Sequence, residues 1–152
     1  MDVVFYTLKS ILDGLDISVV KVIPDGRPVA VLQLAHGMCG SKERFLPFME
    51  YMAGMGVACY ANDHRGHGQS VRTEEDLGYM YGAGEKGIVD DMKLLSSHIK
   101  ARWFRPIFPP SAEFSTTVQP ISVIPPPRLS NPSNSKRASR KKAALFIIRS
   151  HS

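Results

Sequence analysis

Two short polar runs hold the residue types that can do chemistry, and each follows an apolar stretch. His36-Gly37-Met38 closes the apolar run 29–35, and Asp63-His64-Arg65-Gly66-His67-Gly68-Gln69-Ser70 follows the run 57–61. Glycine at position 37 lets the backbone turn sharply and bring an N–H close to a bound group, which is what stabilising an oxyanion requires. His64 and His67 stand at i, i+3 beside Asp63, a spacing that suits two metal ligands. No third and fourth ligand follows at metal-binding spacing, so no metal is implied and both read as loop histidines satisfied by hydrogen bonds. Cys39 is an intrinsically strong nucleophile within the first turn, but reads as a buried or half-buried structural thiol. Ser70 has no base placed beside it and reads as a loop or capping hydroxyl.

The elements that must position these runs follow from periodicity. Residues 15–23 are rich in Ile and Val and alternate imperfectly, which predicts a strand. Pro24-Asp25-Gly26 is a turn, with Pro fixing φ and Gly accepting a positive φ. Residues 29–35 are apolar except for Gln33, the pattern of a central strand covered on both faces. Phe45, Phe48, Met49 and Met52 then fall at i, i+3, i+4 and i+7, one face of a helix over 41–55. Ser41 is its expected N-cap, Glu43 suits the positive end of its dipole, and Gly56 is a left-handed stop. A short buried strand over 57–61 delivers the chain into the octet. Ile88, Met92, Leu95 and Ile99 mark a second amphipathic helix, with Asp90, Asp91 and Lys93 expected to face outward. The order β-β-α-β-loop-α predicts an α/β fold with a largely parallel sheet and two covering helices.

With the two motifs placed on these elements, residues 6–102 resemble the α/β-hydrolase superfamily. More narrowly they resemble its monoacylglycerol lipase, lysophospholipase and serine aminopeptidase-like branch. That branch carries a His-Gly turn after one central strand and an Asp-x-Arg-Gly-His-Gly-x-Ser loop after the next. The 27 residues from His36 to Asp63 fit its spacing. The resemblance implies an oxyanion-hole N–H at Met38, with His36 and Gly37 supporting that turn. It makes Asp63, His64, Arg65, Gly66, His67, Gly68 and Ser70 a structural loop that braces the active-site floor. It implies no cofactor, and a lipid-like ester as the ancestral substrate.

The nucleophile of such an enzyme is absent from this sequence. The fold needs Gly-x-Ser-x-Gly, whose strained turn lifts the serine hydroxyl clear of the sheet. No such pentapeptide occurs, and no glycine follows residue 87. After Trp103 the chain reads Phe104-Arg105-Pro106-Ile107-Phe108-Pro109-Pro110, with no apolar strand leading to a serine. No catalytic residue is therefore assigned, and the chain is expected to be a catalytically incompetent N-terminal part of a serine ester hydrolase. By the same resemblance, the strand ending at His36 would lie between the strand ending at Asp63 and the missing nucleophile strand. It is expected to be an open edge through which chains self-associate or aggregate.

Composition divides the chain near the same point. Of 11 prolines, three precede residue 101 and eight follow it; residues 1–100 carry a net charge of −3, the remaining 52 a net charge of +8. Residues 1–102 read as a truncated hydrolase region. Residues 103–152 read as a Pro/Ser/Arg-rich, irregular or disordered basic tail that buries too little apolar surface to offset its ordering entropy. It ends in a short apolar patch over 143–148. Lys136, Arg137, Arg140, Lys141 and Lys142 offer a possible polyanion contact, which makes a non-catalytic interaction fragment the alternative function. A shifted reading frame or mis-spliced end without selected function is the remaining reading. Two cysteines make no disulfide framework, no signal-like charge precedes the first apolar residues, and no run approaches ~20 apolar residues, so a cytoplasmic protein with no transmembrane segment is expected.

Overall fold

The computed structural model describes residues 1–103 and the backbone of one later strand, residues 144–148. The basic residues Lys136, Arg137, Arg140, Lys141 and Lys142 lie outside the described residues. Five strands, β1 (Asp2–Lys9), β2 (Asp16–Ile23), β3 (Ala30–Ala35), β4 (Val57–Asn62) and β5 (Ala144–Ile148), form one sheet in the order β1-β2-β4-β3-β5. Two helices, α1 (Leu46–Gly54) and α2 (Gly84–Trp103), cover it. Among the described residues no helix is long and apolar enough to cross a membrane.

The sheet is mixed, which corrects the expectation of a largely parallel one. Only β3 and β4 run parallel; β1–β2, β2–β4 and β3–β5 are all antiparallel. The cause is connection length. The chain returns from β1 to β2 within six residues, closed by Ser10 N–H donating to the Leu15 carbonyl at 2.8 Å. So short a link allows a hairpin and excludes a crossover. β3 reaches β4 through α1, which is long enough to bring the chain back in parallel. β1 was not expected from the sequence, although Val3, Val4, Phe5, Tyr6 and Thr7 are the residue types strands favour.

Two further differences concern β5. The sequence reading treated 143–148 as the end of an irregular tail and left β3 as an open edge. The structure forms a strand over Ala144–Ile148 and pairs it with β3 along five residues. The edges of the sheet are therefore β1 and β5.

Alternate residues of the strands feed two cores. On one face Val20, Val22, Leu32, Leu34, Cys59 and Ala61 pack against Met49 and Ala53 of α1. On the other, Val19, Val31, Ala58 and Tyr60 pack against Leu95 and Ile99 of α2. Gln33, the lone polar residue of β3, is buried toward α2. Its amide donates to the Met92 carbonyl at 3.0 Å and its oxygen accepts from the Ser96 hydroxyl at 2.7 Å. That satisfies both ends of a side chain that would otherwise destabilise a central strand.

The first helix starts later than expected. Lys42–Phe45 form a 3-10 turn, and Ser41 makes no capping hydrogen bond through its side chain. The α-helix begins at Leu46 with Pro47 in its first positions, where the missing N–H costs nothing. The tighter turn shifts the phase of the buried stripe toward Met49 and Ala53. Phe48, expected inside, is exposed. Gly56 does take the left-handed conformation, at φ 82°, that ends this segment.

Candidate functional site

Both chemistry-bearing runs leave the carboxyl ends of the parallel pair. The register Ala35↔Asn62 sets residue 36 beside residue 63, so the His36 turn and the 63–70 loop emerge together. In α/β sheets this end of the strands is where ligands bind.

His36 and His64 lock the two segments reciprocally. The His64 N–H donates to His36 Nε2 at 3.0 Å, and His64 Nε2 lies 2.9 Å from the His36 carbonyl. His36 Nε2 is thus an acceptor, so Nδ1 carries the proton and donates to the Gly37 carbonyl at 2.9 Å. His64 donates from Nε2 and is deprotonated at Nδ1, which has no partner among the described residues. Both rings are buried and neutral in this arrangement, with centroids 4.1 Å apart. Burial pushes His64 down to about 4, and the adjacent His36 adds to that shift. Burial likewise lowers His36. His67 stands beside them, its ring 5.3 Å from that of His36 and its Nδ1 3.1 Å from the Arg65 carbonyl.

Asp63 organises the floor. Its carboxylate accepts from the Lys42 N–H at 2.7 Å, the Lys42 ammonium at 2.7 Å and the Gln69 N–H at 2.9 Å. Lys42 is fully buried, and its ammonium also reaches Glu43 at 2.6 Å. The Ser70 hydroxyl donates to the Asp63 carbonyl and accepts from the Ser18 N–H, each at 2.9 Å. Ser70 is therefore a tie between the loop and β2. Gly68 closes over the same carboxylate at φ 51°, where any Cβ would collide with the Asp63 oxygens.

Arg65 points away from this cluster, into the α2 side of the sheet. Its guanidinium donates to Asp91 at 2.8 and 3.3 Å, to the Ser10 hydroxyl at 3.0 Å and to Asp13 at 3.2 Å. The Ser10 hydroxyl in turn donates to Asp91 at 2.6 Å. Asp91 was expected to face solvent; it is 1% exposed. The burial is explained by Arg65, a long cation arriving from another segment that no periodicity of α2 could reveal. Lys42, Asp91, Ser10 and Asp13 are the site residues that sequence reasoning missed. A signal existed for Asp91 alone: it lies four residues before Leu95, on the buried stripe.

Gly87 makes room for that guanidinium. A Cβ there would lie 2.7 Å from Arg65 Nε and 2.7 Å from the Ala83 Cβ. Gly87→Ala should therefore lower stability by roughly 1–3 kcal/mol through overpacking, outweighing the helix-propensity gain. Gly54→Ala in α1 meets nothing within 4 Å and should stabilise by about 0.5–1 kcal/mol. Urea unfolding midpoints of the two variants should move in opposite directions.

The turn over 37–40 is tight and open to solvent. The Gly40 N–H donates to the Gly37 carbonyl at 3.0 Å, and Cys39 adopts φ 59°. Cys39 is exposed, not buried or half-buried as expected, because the left-handed turn carries it outward. The Met38 side chain is exposed, and its N–H has no hydrogen-bond acceptor among the described residues. The other thiol, Cys59, is buried in the sheet and pushed up to about 12 by that burial. Among the described residues no group of three His, Cys, Asp or Glu side chains is placed to hold a metal ion.

The turn is thus held against the 63–70 loop, with the Met38 N–H left without an acceptor among the described residues. Residues 26–109 match the family model described as serine aminopeptidase, S33. The fold is similar to that of a highly thermostable carboxyl esterase from Bacillus coagulans, solved with glycerol. The TM-score is 0.60 and the identity 18%, covering 68% of this chain and 33% of that one. It is also similar to a PEG-bound, cold-adapted esterase from an Arctic intertidal metagenomic library. There the TM-score is 0.53 and the identity 22%, covering 65% of this chain and 44% of that one. The chain spans between a third and a half of the length of these structures. No curated protein matches it in sequence. The family match takes in more than half of the residues, and the chain belongs to the serine aminopeptidase, S33 family of α/β-hydrolases.

Proposed function

We propose that this chain is the N-terminal part of a carboxylic-ester hydrolase of the lysophospholipase and monoacylglycerol lipase type. It supplies the oxyanion turn and the active-site floor and is inactive alone. The observation that carries this reading is the reciprocal His36–His64 lock. It fixes the Gly37-Met38 turn against the 63–70 loop while the Met38 N–H donates to no other group among the described residues. In this role the Met38 N–H is one of two donors to the tetrahedral oxyanion, the second coming from the residue after a nucleophile.

Neither Ser70 nor Cys59 replaces that nucleophile. Ser70 is held by two buried hydrogen bonds, and the Cys59 thiol is both buried and raised in pKa. Lipid-like esters are the substrate class of the reading, acted on only when a serine, an acid and a histidine complete the site.

The test is the purified chain with a fluorophosphonate probe and with p-nitrophenyl butyrate. Labelling should not exceed that of heat-denatured protein, and ester hydrolysis should equal buffer. A stoichiometric probe adduct on any serine would overturn the reading.

A further inference from the structure

β3 is a deeply enclosed strand of the family match, and its outer neighbour comes from outside that match. Val31, Leu32, Gln33, Leu34 and Ala35 are each 4% exposed or less, with α1 covering one face and α2 the other. Every one of the five pairs with β4 on one side, from Val31↔Ala58 to Ala35↔Asn62. On the other side the same five residues pair with β5 without a gap, from Val31↔Ile148 to Ala35↔Ala144. A strand this apolar cannot leave one edge unpaired without recruiting another strand. Ala144-Leu145-Phe146-Ile147-Ile148 supplies the matching length and strand-favouring residue types. β5 runs antiparallel to β3, so it pairs with the edge without reproducing a crossover-linked strand, which would run parallel.

We propose that the β3 edge is a strand-acceptor site whose occupant is Ala144–Ile148 of the same chain. The capture is intramolecular. Forty residues separate Trp103 from Ala144, a tether whose effective local concentration, on the order of millimolar, exceeds that of a second chain at micromolar protein. The captured strand keeps the chain from polymerising through β3 and competes with any other strand for that edge.

The test is amide hydrogen exchange on the full chain, compared with Phe146→Pro/Ile147→Pro. Adjacent residues of a strand point their N–H groups to opposite sides, so the double substitution removes a donor to β3 in either phase of the ladder. In the unsubstituted chain, the Val31–Ala35 amides facing β5 should be protected equally at 1 and 100 µM. In the double variant they should exchange at least about tenfold faster, while the Val19–Val22 amides of β2 keep their rates and report an intact fold. Size-exclusion chromatography should show the variant moving to higher oligomers as its concentration rises. Equal β3 exchange in both chains overturns the proposal. Protection that grows with protein concentration also overturns it, by assigning the strand to a second copy. Loss of β2 protection is resolved by the unsubstituted chain alone, whose concentration series decides the result.

Discussion

Asp91→Ala is expected to destabilise the chain by about 3–5 kcal/mol, the cost of leaving a buried cation without its partner. Arg65 is fully buried and Asp91 1% exposed, and they meet through two of the guanidinium's hydrogen bonds. Asp13, the other acid in reach, is more distant at 3.2 Å and a quarter exposed. A small domain holds only about 5–15 kcal/mol in reserve, so this single change consumes a large part of it. Two comparisons separate charge burial from lost packing. Arg65→Met/Asp91→Leu should recover at least about 1 kcal/mol of the loss, because an apolar pair carries no desolvation penalty. Asp90, the residue before Asp91, pairs with the exposed Lys93 three residues on, and Asp90→Ala should cost under about 1 kcal/mol. Urea titrations of the three variants measure all of this. A stability for Asp91→Ala within 1 kcal/mol of the parent would mean that Arg65 is not held as described.

The second large effect is a loss of stability in mild acid. His64 has a folded-state pKa of about 4, against an ordinary value near 6.5, and burial is the principal cause. The folded chain therefore binds fewer protons than the unfolded chain. For a base depressed in this way, stability is complete above about pH 6.5 and is lost as pH falls toward 4. From pH 7.5 to pH 5 the loss from His64 alone is roughly 2 kcal/mol, rising to about 3 near pH 4. His36 shifts in the same direction and adds to it. The geometry gives the reason: a proton on His36 Nε2 would oppose the incoming His64 N–H and break the lock. In His64→Asn the pH dependence between 7.5 and 5 should shrink by more than half. A parent chain equally stable at both pH values would contradict neutral, buried histidines.

The two motifs were legible in the sequence because each is a local object. A strand ending in His36-Gly37 and another ending before Asp63 can be read from apolar runs and glycines, and the register Ala35↔Asn62 brings them together as their order implies. The apolar stripe of α2 at Leu95 and Ile99 was equally readable. The strand β1 carried its own signal in Val3, Val4, Phe5 and Tyr6, which an acid at position 2 and a basic residue at 9 do not cancel.

What could not be read is what happens between segments distant in the chain. Periodicity reports whether a position faces a core, and not which charge arrives there from elsewhere. Asp91 looked solvated until Arg65, 26 residues earlier, was seen to reach it. Nothing in the order of residues around Lys42 announces that the turn brings it under Asp63. The capture of β3 by Ala144–Ile148 depends on a pairing more than a hundred residues apart.

The amino-acid order by itself determined the class of fold, the two turns and the missing serine elbow, since each rests on neighbouring residues. The tertiary structure alone decided sheet direction, the partners of Lys42 and Arg65, and which edge is covered. Those are choices among contacts of similar chemistry, and only the packed chain fixes which of them can be satisfied at once.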